Sequence, residues 1–282
     1  MPLDSLPNAG PAMPPPGGRT ILAPTIAPPT IRHSGILALD ALLCGGFEPG
    51  SVWNIEGAPG VGKTLVGLHF LAQGLAEGEA GLYITAAEPP AKIVQFFAKY
   101  WPNLEAGIVQ RQLAVLDPSP FFTELRLAKA HRTQSRIEPW DEVWRFVQDA
   151  IKQSRDMGAR RIVIDPLTPL LLAYGSPIDL WDTIQTLVAA FGENRNATTL
   201  LTHMALDEPH FAAIGATLRA LCTGSLRLEQ RFNERSKSHL VIQAVKRRHA
   251  ALGGHETSVY IGTGGHISHL EPITRPLGEQ SA

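Results

Sequence analysis

Apolar and polar positions along the chain alternate between two periods. Ser51–Gly57 is a short, mainly apolar run of strand length. Lys63–Leu75 then repeats apolar residues at helical spacing, with Leu65, Leu68, Leu71, Ala72 and Leu75 on one face. Leu82–Ala86 is strand-like. Lys92–Tyr100 is helical and is opened by Pro89-Pro90, which suit a first turn because that turn leaves its amides unused. Leu113–Asp117 is a strand, and Trp140–Met157 is a helix stopped by Gly158. Arg161–Asp165 is an apolar strand closing on aspartate, Leu180–Phe191 a helix, and Thr198–Thr202 another strand. From Ser225 the pattern changes: Leu226–Gln230, Leu240–Val245, Ser258–Ile261 and His266–Leu270 are consecutive strands. β-α alternation followed by strands alone predicts an α/β fold. Its central sheet is mostly parallel, with helices on both faces and a β-rich C-terminal end. No internal repeat is visible.

The two ends lack any such period. Residues 1–30 hold nine of the 23 prolines, including Pro14-Pro15-Pro16, and proline neither continues a helix nor donates to a ladder. This stretch is expected to be a disordered tail, and 273–282 a second loose one. Residues 31–272 suffice for one sizeable core and are expected to form one domain.

Composition narrows the function. Of 282 residues, 44% are hydrophobic and 18% charged, which excludes a disordered chain. Lys plus Arg is 25 against 26 for Asp plus Glu, a formal charge of -1, so the chain is not a globally basic nucleic-acid binder. A local basic segment, Arg126, Lys129, His131, Arg132 and Arg136, follows Phe121-Phe122 and reads as a solvated face. Binding to DNA is not expected. The longest apolar run, near Leu167–Tyr174, is broken by Pro169 and is too short to span a membrane. Asp4 and the prolines stand where a signal peptide needs a basic start and an apolar run. Cys44 and Cys222 supply neither a disulfide framework nor metal-ligand spacing. A cytoplasmic location is the expectation.

One motif changes the picture. Gly57-Ala58-Pro59-Gly60-Val61-Gly62-Lys63-Thr64 matches G-x-x-x-x-G-K-[ST] without deviation, between a strand and an amphipathic helix. Glycines let backbone amides curl around phosphate oxygens, Lys63 supplies charge at the β- and γ-phosphates, and Thr64 offers a hydroxyl to Mg²⁺. The helix beginning at Lys63 aims its N-terminal dipole at the anion, so the nucleotide-binding stretch is read as Gly57 to Leu65. About a hundred residues on, Arg160-Arg161-Ile162-Val163-Ile164-Asp165 ends an apolar strand in a carboxylate that can hold Mg²⁺ through its water shell.

These two motifs resemble the RecA-like P-loop ATPases, and more narrowly the KaiC branch. His33–Asp40 and Gly45-Gly46-Phe47-Glu48-Pro49-Gly50 are similar to that family's lead-in. Leu68-His69-Phe70-Leu71 resembles its first helix, and Leu82–Thr85 with Glu88-Pro89-Pro90 its second strand and acidic turn. Ala197–Thr202 resembles a core strand, and Lys246-Arg247-Arg248 the late K-x-R element. The resemblance covers about Arg32 to Leu270 and implies ATP and Mg²⁺ as ligands. It also implies homo-oligomeric rings, often hexamers, with nucleotide at the subunit interfaces. Lys246 and Arg248 would reach a neighbour's nucleotide, where the guanidinium stabilises developing phosphate charge. Nucleotide state would control a signalling partner.

The chain departs from the resemblance at two places. Relatives carry two consecutive glutamates after the second strand, one of them orienting the attacking water; here Ala87 takes the first place and Glu88 the second. Either Glu88 acts as catalytic base from a shifted register, or hydrolysis is slow and the protein is an ATP-binding switch. Thr202 ends the strand that faces the γ-phosphate and His203 follows it; either is a candidate phosphate sensor. The family's autophosphorylated Ser-Thr pair falls, without gaps, on Ala220 and Leu221, so autokinase activity is not expected, although Thr223 and Ser225 are close. The expected activity is ATP hydrolysis. The alternatives are a DNA-dependent recombination or repair ATPase of the RadA type and a non-catalytic nucleotide-binding scaffold.

Overall fold

In a computed structural model of the chain, the residues described are 31–118, 139–171, 177–232, 238–248 and 252–269. The two expected tails, the basic segment between 126 and 136, and Leu270 lie outside them. A short helix, Leu37–Leu42 (α1), precedes the strand at the heart of the sheet, Val52–Gly57 (β1), and the helix Lys63–Ala76 (α2) follows it. Then come Gly81–Thr85 (β2), Pro90–Tyr100 (α3), Pro102–Val109 (α4), Leu113–Leu116 (β3), Pro139–Asp156 (α5) and Arg161–Asp165 (β4). Thr168–Leu171 (α6), Pro177–Gly192 (α7), Thr198–Met204 (β5) and Pro209–Leu221 (α8) complete the alternating part. Gly224–Phe232 (β6), Ser238–Arg247 (β7), Glu256–Ile261 (β8) and Ile267–His269 (β9) form the β-rich end.

The nine strands make one sheet in the order β3-β2-β4-β5-β1-β6-β7-β8-β9. From β3 to β6 every pairing is parallel; β6 to β9 are antiparallel. The α/β architecture expected from the sequence is therefore what the chain adopts. Strand parity divides the core in two. Trp53, Ile55, Tyr83, Val163 and Leu200 pack on one face, with α1 to α4. Val52, Leu82, Ile84, Ile162, Ile164 and Leu201 pack on the other, with α5 to α8. Both faces of the central strands are buried, which explains their continuous apolar runs.

Several expectations need correction. Helix α2 is not buried along one leucine face: Val66, Gly67, Leu68, Phe70, Leu71 and Gly74 are buried, whereas Leu65, Ala72 and Leu75 are only half-buried. A Cβ on Gly67 would lie 2.8 Å from Val163, so the helix beds directly on β4 and is covered on most of its circumference. Strand β5 continues to Met204, so His203 lies inside it, not after it. Strand β7 continues to Arg247, which takes Lys246 into the ladder. Helices α1, α4, α6 and α8 had no sequence counterpart. Helix α3 begins at Pro90 with Pro89 as its N-cap, so Glu88 stands in the preceding turn.

The β-rich end straps onto the first helices. Trp101 Nε1 donates to the Gly264 carbonyl (3.2 Å), and His69 Nε2 accepts from the Ile267 amide (2.7 Å). The His69 ring meets Trp101 edge-on, and the two centroids are 4.8 Å apart. Cys44 and Cys222 are both free thiols, and burial pushes Cys222 up to about 12. No helix among the described residues is long and apolar enough to cross a membrane.

Candidate functional site

The loop from Gly57 to Gly62 leaves the carboxyl end of β1 and turns into α2. Gly60 and Gly62 sit at φ +76° and +112°, left-handed values that a side chain resists. Gly57 is excluded from substitution differently: a Cβ there would lie 2.6 Å from the Leu228 carbonyl oxygen. Ala58, Pro59 and Gly60 are exposed, Val61 and Lys63 buried, and Thr64 and Leu65 half-buried. Lys63 Nζ donates to the carbonyls of Gly57 (2.9 Å) and Ala58 (2.8 Å), folding back over its own loop. Burial pushes its ammonium below the ordinary value, and the nearby Asp165 charge opposes that. A phosphate placed there would supply the anion that a desolvated ammonium lacks.

Asp165 closes β4 beside this loop, nearly buried. Its Oδ2 accepts from Tyr83 Oη (2.7 Å) and its Oδ1 from Thr202 Oγ1. The three side chains come from adjacent strands β2, β4 and β5 and share a face by parity. Burial, and then the Asp165 charge, push the Tyr83 phenol well above its ordinary range, so it stays a hydroxyl and a donor. A carboxylate accepts about four hydrogen bonds, so two anchored contacts aim Asp165 and leave capacity for metal-bound water. Among the described residues no group of three or more His, Cys, Asp or Glu side chains could hold a metal alone. A divalent ion at Thr64 and Asp165 would therefore be held jointly with phosphate oxygens and water, the habit of Mg²⁺.

The turn carrying Ala87 and Glu88 is pinned to this centre. Thr85 Oγ1 donates to the Glu88 carbonyl (2.7 Å), and the Ala86 amide donates to the Asp165 carbonyl (3.1 Å). Both Ala87 and Glu88 are exposed at the mouth of the site. Lys63, Thr64, Asp165, Thr202 and the Glu88 turn thus stand at the carboxyl ends of the central strands.

His203 does not join them. One residue beyond Thr202, it faces the opposite side, opposite Glu56 in the β1–β5 register. It is fully buried, and its Nδ1 lies 3.3 Å from Thr168 Oγ1. Burial pushes its pKa from 6.5 down to about 4, against the attraction of Glu56. His69 is likewise held at about 4, first by burial and then by His266. For these bases the folded value is below the unfolded one, so below pH 6.5 the unfolded chain binds more protons. Stability is then lost as pH falls from 6.5 toward about 4. At about 1.4 kcal/mol per pKa unit, protonating His203 costs on the order of 3 kcal/mol. Urea unfolding of His203→Gln across that window is expected to show a shallower fall with pH than wild type. An unchanged slope would remove His203 as the cause.

Lys246 and Arg248 stand at the other end of the sheet from the phosphate loop. The β6–β7 register places them by Gly224, which pairs with Trp53 at the start of β1, about 13 Å of strand from Gly57 at ~3.3 Å per residue. Lys246 Nζ donates to the carbonyls of Arg219 (2.5 Å), Ala220 (2.8 Å) and Cys222 (2.9 Å), and the Arg248 guanidinium to Ala220. Two cations thus cap the carbonyl end of α8, where the helix dipole favours positive charge. Burial, and then the Arg248 charge, push Lys246 below its ordinary value.

The motif reading missed Tyr83 and Glu56. Each left a signal: a phenol in an aliphatic strand, and a carboxylate inside a buried one. Glu56 is fully buried and paired with Arg219 (2.5 Å) and Arg227 (2.8 Å), at the wall of a cavity of about 630 Å³ beside Ala58 and Pro59. A charge in that position is stable only when paired.

A family model described as the KaiC ATPase matches residues 32–271. A UPF0273 protein of Pyrobaculum aerophilum is 25% identical over 264 residues, 89% of this chain and 91% of that protein. The circadian clock oscillator protein KaiC of Parasynechococcus marenigrum is 30% identical over 176 residues, 62% of this chain but 32% of its own length. A UPF0273 protein of Thermotoga maritima is 27% identical over 139 residues, 49% of this chain and 56% of its own. The matched range takes in every described strand and helix, including the loop at Gly57–Thr64 and the carboxylate at Asp165, and the chain belongs to the KaiC ATPase family.

Proposed function

We propose that residues 31–272 form an ATPase unit, flanked by tails at 1–30 and 273–282, that binds ATP with Mg²⁺ and hydrolyses it slowly. Lys63 holds the β- and γ-phosphates within the amides of Gly57–Leu65, Thr64 and Asp165 hold Mg²⁺, and Glu88 orients the attacking water. Thr202 senses the γ-phosphate through its bond to Asp165, and His203, on the opposite face, has no part in it. The observation that carries this reading is the approach of Lys63 to Asp165 of the Tyr83–Asp165–Thr202 cluster at the carboxyl ends of the central strands.

Lys246 and Arg248 cannot serve the site of their own chain from the far end of the sheet. That position supports a homo-oligomeric ring, a hexamer in the family pattern, in which they act on the neighbour's nucleotide. The ring would be cytoplasmic and would control a signalling partner. A second reading, an ATP-binding switch without turnover, is favoured by one observation: Ala87 stands exposed at the mouth of the site, where a carboxylate would be needed.

ATP turnover against protein concentration, with light scattering on the same samples, separates the two. Turnover per chain is expected to rise with assembly and to fall at least tenfold in Glu88→Gln and in Arg248→Ala. ATP binding with phosphate release no higher than in Lys63→Ala would establish the switch and end the hydrolytic reading.

A further inference from the structure

Glu56 is fully buried and immediately precedes the phosphate loop, yet it makes none of the hydrogen bonds of the Lys63 and Asp165 centre. Its two oxygens accept from two arginines, and Oε2 also accepts a longer bond from Asn54 Nδ2 (3.4 Å). Arg219 Nη1 donates to Oε2 (2.5 Å), and Arg227 donates to Oε1 through Nε (2.9 Å) and Nη2 (2.8 Å). Arg219 belongs to the last turn of α8, and the carbonyl of that same residue accepts from Lys246. The next carbonyl, Ala220, accepts from both Lys246 and Arg248. The C-terminal end of α8 is therefore held from two sides, by Glu56 at the root of the phosphate loop and by Lys246 of β7 with Arg248 just beyond it.

On the loop side, Lys63 is tied to the peptide that follows Glu56. Glu56 is followed by Gly57, whose carbonyl accepts from Lys63 Nζ. Phosphate oxygens would draw that ammonium away and free the first carbonyl of the loop, one peptide from Glu56. There is little slack between Glu56 and α8. A Cβ on Gly215 would lie 3.2 Å from Arg219 Nη1 and 3.3 Å from His203 Nε2, so the guanidinium is packed against helix and strand. A buried carboxylate also cannot leave its arginine partner without a large desolvation cost.

We infer that Glu56 and Arg219 are positioning residues that transmit occupancy of the phosphate loop to the C-terminal end of α8, and so set where Lys246 and Arg248 are presented. The inference rests on the nucleotide-binding reading above, and it does not require the ring. A nucleotide in one chain would adjust the cations that the same chain offers elsewhere. Neither the loop motif nor the K-x-R element contains this link, because Glu56 and Arg219 lie outside both.

The test is hydrogen exchange of the amides in 217–223 and 246–248, with and without adenylyl imidodiphosphate and Mg²⁺. It is done at a protein concentration where light scattering shows that the analogue leaves the mass unchanged. A fluorescence titration gives the affinity for the same analogue. In the wild type, exchange in both segments is expected to change at least threefold on binding. Arg219→Met, whose side chain is partly solvated, is expected to bind within threefold of wild-type affinity and to keep the response of 57–65. Its response at 217–223 and 246–248 is expected to be lost. Glu56→Gln, which keeps the volume and removes the charge, should lose the same response and is the second variant if the first does not fold. No exchange response in a saturated wild type, or one that survives in a folded variant, overturns the inference. Failure of the wild type to bind the analogue is read from the titration itself and removes the nucleotide-binding reading together with this one.

Discussion

Lys63→Ala is expected to lower ATP affinity by about a hundred- to a thousandfold, with turnover falling to background. Charge-assisted hydrogen bonds contribute about 1.5–3 kcal/mol each, and an ammonium spanning two phosphates makes at least two. That is about 3–4 kcal/mol or more, at about 1.4 kcal/mol per decade of affinity. In the nucleotide-free protein the same ammonium is buried and its positive form is disfavoured by desolvation, with two carbonyls as partners. Removing it loses two hydrogen bonds and relieves a buried charge, and these effects oppose each other. The stability of nucleotide-free Lys63→Ala is therefore expected to stay within about 1 kcal/mol of wild type, because each bond is worth about 1 kcal/mol net. Calorimetric titration with ATP and urea unfolding of the same preparation check both statements. An affinity loss below tenfold, or a large loss of stability, would mean that Lys63 is a structural residue of the loop.

Arg161→Ala is expected to cost about 3–5 kcal/mol of stability, the range found when one partner of a buried ion pair is removed. Arg161 opens β4 and has no exposed side-chain surface. Its guanidinium contacts Glu77 and Glu79 (2.6 Å for the latter), donates to the carbonyls of His33 (2.6 Å) and Phe70 (2.8 Å), and lies 4.7 Å from the Phe70 ring centroid. The stem runs where Gly74 leaves room; a Cβ there would stand 2.2 Å from Cδ. Glu77 and Glu79 retain some solvent contact, so the loss arises at the carbonyls and in the vacated volume more than at the carboxylates. Arg161→Met, which refills the space, should recover part of it. Urea midpoints of the three proteins measure this, and a loss below about 1 kcal/mol in Arg161→Ala would show that the network is peripheral. The site lies at the opposite ends of α2 and β4, so ATP affinity in the folded fraction should be unchanged.

These two residues differ in how readable they are. Lys63 belongs to an eight-residue motif whose meaning is local, because a phosphate cradle is built by consecutive amides. Arg161 reads as the polar start of an apolar strand, and its partners lie 82 to 128 positions away. Secondary structure follows the same division. Strands β1, β2, β4 and β5 show as mainly apolar runs of strand length, and helices α2, α5 and α7 as apolar residues at helical spacing. Helix α8 has a proline start and glycine at 215, and its burial comes from packing against α7 and the sheet.

The residues alone determined the α/β alternation, the β-rich end, the phosphate loop and the candidacy of Asp165, since each is written in contiguous side chains or in a period of two or 3.6. Only the tertiary structure decided the rest. Strand order 3-2-4-5-1-6 placed Tyr83 and Thr202 on either side of Asp165. Parity then turned His203 away toward Glu56, and the β6–β7 hairpin set Lys246 and Arg248 on α8, far from their own loop. The physical reason is that buried parallel strands are interchangeable as apolar runs. Which one lies beside which is settled by crossover packing and by pairing buried polar groups that stand far apart in the chain.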